Sequence, residues 1–196
     1  MNASALLSQR LGFSNAQADD IDTSGIARFL RNSFATPAVV EAPDCMRDAP
    51  RTRKELKALK NASPEEQKKL LKRERERMVM LQHWWAERMH QEKYPLREKM
   101  VLFWHNHFVS AIQKVKLPWL LYEQNQLFRE YAFGNFKTLT KKVLYNNAML
   151  VYLDNVQNKA RTPNENLSRE LLELFTLGIG HYTEQDIKEE IGRAHV

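Results

Sequence analysis

The chain has 196 residues, of which 43% are hydrophobic and 28% charged, with a net charge of +6; this composition is ordinary for a globular protein. Its single cysteine, Cys45, excludes an internal disulfide and a multi-cysteine zinc site within the chain. No apolar run reaches the roughly 18 residues of a membrane span, because the stretch near Met100–Val109 is broken by His105, Asn106 and His107. The N-terminus, MNASALLSQRLGF, has no basic region leading into a long apolar core, so no signal peptide is read there. A reducing, cytoplasmic setting is the default, and export stays open.

Period-2 alternation and Asn-Gly or Asp-Gly hairpin turns are absent, so the fold class is all-α, a multi-helix globular fragment. Short helices are expected at Ala5–Leu11, ended by Gly12, and at Gly25–Phe34, ahead of Pro37. Residues 36–50, with three prolines, read as a loop or linker. Ser63-Pro64-Glu65-Glu66 is a capping box with proline at the first helical position, so a long helix starts there and runs to about His90. It turns apolar from Met78, where Leu81, Trp84, Trp85 and Met89 make a packing face.

Pro95 begins a helix expected to continue through LREKMVLFWHNHFVSAIQ, and Pro118 opens another that ends at Gly134. Phe136–Tyr145 and Ala148–Leu153 read as two more. Thr162-Pro163-Asn164-Glu165 repeats the cap and starts a helix that Gly178 stops; Thr183 caps a last one, with Asp186 at the third helical position.

The excess positive charge is local. Between Arg51 and Arg77 there are 11 basic and 5 acidic residues, a surplus equal to that of the whole chain. Such a segment is either a phosphate-binding face or a solvated helix laced with ion pairs, projecting from the body. The alternating RERER and the lack of interleaved aromatic residues argue against nucleic acid.

Candidate chemistry lies further on. In Phe103-Trp104-His105-Asn106-His107-Phe108 the two histidines lie about 200° apart around an ideal helix, so they face nearly opposite sides and do not share one metal ion unless the helix breaks there. Each is either a buried imidazole bonded to a distant helix or a pocket group acting as ligand or general base. The helix from Asn164 to Leu177 is amphipathic. Leu167, Leu171, Leu174 and Phe175 share one side; Glu165, Asn166, Arg169, Glu170 and Glu173 share the other. Glu165, Arg169 and Glu173 form an i,i+4 stripe, and Glu170 with Glu173 could hold a cation or act as an acid–base pair. Asp154 and Asn155 end a helix and read as turn-formers or as oxygen donors; His181 sits in a Gly-flanked loop. The candidate catalytic residues are therefore His105, His107, Asp154, Glu165, Arg169 and Glu170. The candidate metal ligands are His105, His107, Asp154, Glu170 and Glu173, with Asn106, Asn155, Asn164, Asn166 and His181 as further polar motif residues. No nucleophile elbow, phosphate loop, dinucleotide fingerprint or His-Glu-x-x-His occurs, and no cofactor is read.

These blocks resemble a bacterial family known as domain of unknown function 1800. The resemblance is carried by Glu98-Lys99-Met100 with Leu102–Phe108, Gln124–Leu127, Gly134-Asn135-Phe136, Ala148–Asn155, Pro163–Gly178 and Tyr182–Asp186, with a weaker echo in Arg10-Leu11-Gly12-Phe13. It implies an α-helical protein longer than this chain and no established activity. It also implies a neighbouring gene for an exported, sulfatase-like product as a partner. The recurring polar residues become candidates for a site or a buried network. The family pattern gives way at Ile191–Val196, IGRAHV, which reads as an adapter-derived artefact. On that reading residues 1–190 are the N-terminal part of a single larger helical domain, and the missing partner is the C-terminal part of its own chain. Two functions stay open: an enzyme or metal-dependent site formed by convergence of these residues, or a partner or scaffold protein in which they satisfy one another. Nucleic-acid binding through residues 51–77 is a third.

Overall fold

In the computed structural model, which describes residues 3–52, 54–56, 63–157 and 165–193, every regular element is helical. In chain order these are α1 (Ala3–Leu11), α2 (Ala18–Ser24), α3 (Ile26–Phe34), a 3₁₀ turn (Asp44–Met46), α4 (Pro64–Gln91), α5 (Leu96–His107) and α6 (Ile112–Val115). They continue with α7 (Pro118–Glu130), α8 (Phe136–Leu144), α9 (Asn147–Tyr152), a 3₁₀ turn (Asn155–Gln157), α10 (Asn166–Glu170), a π-helical turn (Leu171–Thr176) and α11 (Glu184–Arg193). None of the described helices is long and apolar enough to cross a membrane. Residues 57–62 of the basic segment, the Thr162-Pro163-Asn164 cap and Ala194–Val196 lie outside the described residues.

Local chemistry accounts for the helix starts. The Ser63 hydroxyl accepts from the Glu66 N–H and the Glu66 carboxylate accepts from the Ser63 N–H, which closes the capping box of α4. Pro118 occupies the first turn of α7, where its missing N–H costs nothing. Asn135 and Asn146 cap α8 and α9, and Thr183 with Asp186 caps α11. Gly12, which follows α1, is required by close approach: a Cβ there would stand 2.8 Å from Pro95 Cγ.

α7 is the central strut, packed against α4, α5, α6, α8 and α9. The main core joins Val101, Trp104 and Phe108 of the α5 region to Phe128, Leu139, Val143, Met149, Leu167 and Phe175. A second cluster joins Met78 and Leu81 of α4 to Met46, Ala49 and Tyr122.

Three expectations are corrected, and one alternative is decided. Of loop and linker, residues 36–50 are a loop, packed against the body. Met46 is fully buried, and the Val40 carbonyl accepts from both Tyr122 and Gln126 of α7. The charged segment does not project along its whole length, since Glu74 and Arg77 are buried; Arg73 and Arg77 both pair with Asp48, and Arg77 also donates to the Cys45 carbonyl. α5 stops at His107 instead of running through to Gln113. Phe108, at φ −102° and ψ 71°, drops its ring into the core, and Gln124 holds Ser110 at 3.0 Å, so tertiary packing overrides local helix preference. The last correction falls at Leu171. There Leu177 N–H bonds the Leu172 carbonyl at 2.8 Å, and the Thr176 hydroxyl takes the Leu171 carbonyl at 2.6 Å. The widened turn leaves Leu167, Leu171 and Phe175 buried but turns Leu174 outward, so the four do not share one buried side.

Candidate functional site

α5 carries both histidines, and its geometry sends them to different places. His105 lies against Trp85 of α4 and Phe128 of α7, each with ring centroids 4.7 Å away. Beside it is a buried ion pair. Arg129, with no exposed surface, donates to both oxygens of Glu98 at 2.8 Å, and Trp85 Nε1 adds a third bond to that carboxylate at 3.0 Å. Burial alone would raise the Glu98 carboxyl, but Arg129, with Arg88 and Trp85, holds it below the usual carboxylate range.

Hydrogen-bond chemistry then assigns the His105 tautomer. Arg129 Nη1 donates to Asn125 Oδ1 at 2.7 Å, so that atom is the amide oxygen. The other arm, Asn125 Nδ2, therefore donates to His105 Nε2 at 3.2 Å, and Nε2 must carry the lone pair. Protonation would set two donors face to face near the Arg129 cation. Burial, then Arg129, pushes the His105 pKa down to about 3. Its chemistry is that of a fixed acceptor inside a structural network.

His107 lines a cleft of about 520 Å³ on the other side of α5. Asn106 and His107 come from α5, Lys114 from α6, Tyr152 from α9, and Asn166 and Glu170 from α10, with Phe175 among the walls. The sequence does bring a histidine, a carboxylate and two amides of the predicted set together here. His107 Nε2 lies 3.0 Å from the Phe175 carbonyl, which can only accept; Nε2 therefore carries the proton and Nδ1 is left as the basic nitrogen of the neutral ring. Phe175 lies in the π turn, so that local irregularity presents the carbonyl that orients the imidazole. Asn166 is oriented as well, its Nδ2 donating to the Leu153 carbonyl at 3.3 Å.

Asp154 reaches this cleft through a partner. Its carboxylate pairs with Lys114 at 2.6 Å, and its backbone sits at φ 60°, a left-handed conformation uncommon for a non-glycine residue. Lys114 also stands 5.5 Å over the Tyr152 ring. Lys114 went unread in the sequence, where a single lysine among 30 basic residues gives no signal of its own.

The remaining candidates lie elsewhere. Arg169 pairs with Glu165 at 3.2 Å and with both oxygens of Glu184, and Glu173 accepts from Tyr182 at 2.5 Å. That contact with Glu173 raises the Tyr182 phenol, while Arg169 lowers Glu184. These residues tie α10 and the π turn to α11. Asn155 lines a separate pocket with Leu150, Leu167 and Ser168, and His181 is exposed. Among the described residues no three His, Cys, Asp or Glu side chains gather closely enough to hold one metal ion, so the five candidate ligands do not converge.

Compared with known proteins, the chain matches the family model described as protein of unknown function, DUF1800, over residues 6–191. No curated protein and no solved structure matches it.

Proposed function

This chain belongs to the DUF1800 family, and on that premise we propose that it binds a small polar molecule in the His107 cleft and that His107 exchanges a proton with that molecule. The observation that supports this most is convergence: Asn106, His107, Lys114, Asn166 and Glu170, from three helices, line one cleft large enough for a metabolite-sized ligand. A neutral imidazole oriented by a backbone carbonyl is a general base, and Glu170 supplies a charge for recognition, Lys114 being paired with Asp154. The partner or scaffold reading draws its support from the Glu98–Arg129–Asn125–His105 network, whose members satisfy one another inside the body. The two readings thus apply to opposite faces of the same helix. Nucleic-acid binding is the weakest, since Arg73 and Arg77 are both engaged by Asp48.

The test is thermal unfolding of the protein with panels of monosaccharides, amino acids, hydroxy acids and nucleotides, alongside His107→Gln and Glu170→Gln. Glutamine at 107 can still donate to the Phe175 carbonyl but cannot act as a base at neutral pH. At least one panel should stabilise the wild type and fail to stabilise Glu170→Gln. If no panel shifts the wild type, or if the shift survives both substitutions, the cleft is not the site.

A further inference from the structure

A second cavity, of about 190 Å³, lies between α4, α5 and α7 and plays no part in the His107 cleft. Its walls are mostly apolar and partly aromatic, with Met78, Trp84, Trp85, Leu121 and the His105 imidazole among them. A cavity of about 150 Å³ lined by apolar side chains is enough to take up a benzene ring. Three π-systems in one wall set favour a flat ring over a branched aliphatic body of equal volume.

The polar residues at this cavity are His105, Ser110, Asn125 and, at its exposed side, Gln82. His105 Nε2 is occupied by Asn125 Nδ2, and Asn125 Oδ1 by Arg129. Ser110 is different: its Oγ accepts the Gln124 Nε2 proton at 3.0 Å, so its own hydroxyl proton points away from that donor. Gln124 is fully buried, and its Oε1 has no hydrogen-bond partner among the described residues. An apolar aromatic cavity bordered by a serine hydroxyl with a proton to give matches a ring bearing one oxygen substituent that can accept it.

We propose that this cavity is a binding site for a one-ring hydroxyarene, of which phenol is the simplest case. The ring packs against the tryptophan and imidazole walls, and its oxygen accepts from Ser110. This site is independent of the His107 cleft and of the function proposed for it.

Isothermal titration calorimetry of the full chain with phenol, benzene and cyclohexanol tests it. Phenol should bind saturably at one site, and cyclohexanol about tenfold more weakly because it lacks the flat π face. Ser110→Ala should bring phenol and benzene to comparable affinity, since the variant lacks the hydroxyl that tells them apart. Leu121→Trp, which fills the cavity, should abolish binding; Ile112→Phe serves the same purpose if circular dichroism shows Leu121→Trp to be misfolded. His107→Gln should bind phenol as the wild type does. The proposal is overturned if phenol gives no saturable heat, if cyclohexanol binds as tightly as phenol, or if a folded cavity-filling variant keeps the wild-type affinity.

Discussion

Acid should destabilise this protein well before its carboxylates protonate, and His105 is the reason. The perturbation is a shift from pH 7 to pH 5, applied to the wild type and to His105→Gln. In the unfolded chain the imidazole titrates near its ordinary value of 6.5, whereas in the folded protein it titrates at about 3. A histidine whose folded pKa is lowered stays neutral where the unfolded chain takes up a proton, so stability falls as pH drops from 6.5 toward 3. Over the pH 7 to 5 window the linkage amounts to about 2 kcal/mol. The residue keeps some exposed surface although its ring is walled by Trp85 and Phe128, so about 1 kcal/mol is the lower bound. Glu98 is also held low, but its stabilisation is lost only as pH falls below the ordinary carboxylate value of 4.5, outside this window. The assay is urea unfolding followed by far-ultraviolet circular dichroism at both pH values. A wild-type stability that is flat between pH 7 and 5, or a slope unchanged in His105→Gln, would refute the tautomer argument.

Three further outcomes follow from the same geometry. Glu98→Gln leaves a fully buried guanidinium without its counter-charge and should cost about 3–5 kcal/mol in urea unfolding, whereas the double variant Glu98→Leu with Arg129→Met should recover most of that loss. Thr176→Val removes the hydroxyl that takes the Leu171 carbonyl and should cost about 1 kcal/mol, with faster amide exchange confined to Leu171–Leu177. Ser63→Ala opens the capping box of α4 and should also cost about 1 kcal/mol, read as loss of helicity in the exposed first turns.

What could be read in the chain, and what could not, divides along a physical line. Helix starts depend on residues within one turn of each other, so Ser63-Pro64-x-Glu66, Pro118 and Thr183 with Asp186 all announce theirs. The angular divergence of His105 and His107 is likewise intrahelical geometry and needs no tertiary knowledge. Where each ring ends up is different. Asn125 lies 20 residues from His105, and Phe175 lies 68 residues from His107, so no local pattern distinguishes the structural imidazole from the one in the cleft. The break after His107 was illegible for the same reason, since Phe108 makes its decisive contacts only once the core has formed. The π turn at Leu171 is different: Thr176 reaches the Leu171 carbonyl only five residues back, a local bond that capping and periodicity patterns do not announce.

The two faces of α5 are also mechanically linked. Glu98 sits about two and a half turns before His107 on one helix, hence on the opposite face, and its bonds to Arg129 clamp that helix onto α7. Arg97 adds a second clamp, donating to the Arg129 carbonyl at 2.9 Å and to the Phe34 carbonyl at 3.1 Å. These bonds are short and buried, and they leave α5 little freedom to slide or rotate. The imidazole of His107 therefore inherits its position from residues that never touch the cleft. A site that must hold a proton acceptor within a few tenths of an ångström of a ligand gains more from such a clamp than from another polar group in its wall. On the proposed reading, the buried ion network on one face of α5 holds the His107 imidazole in place on the other.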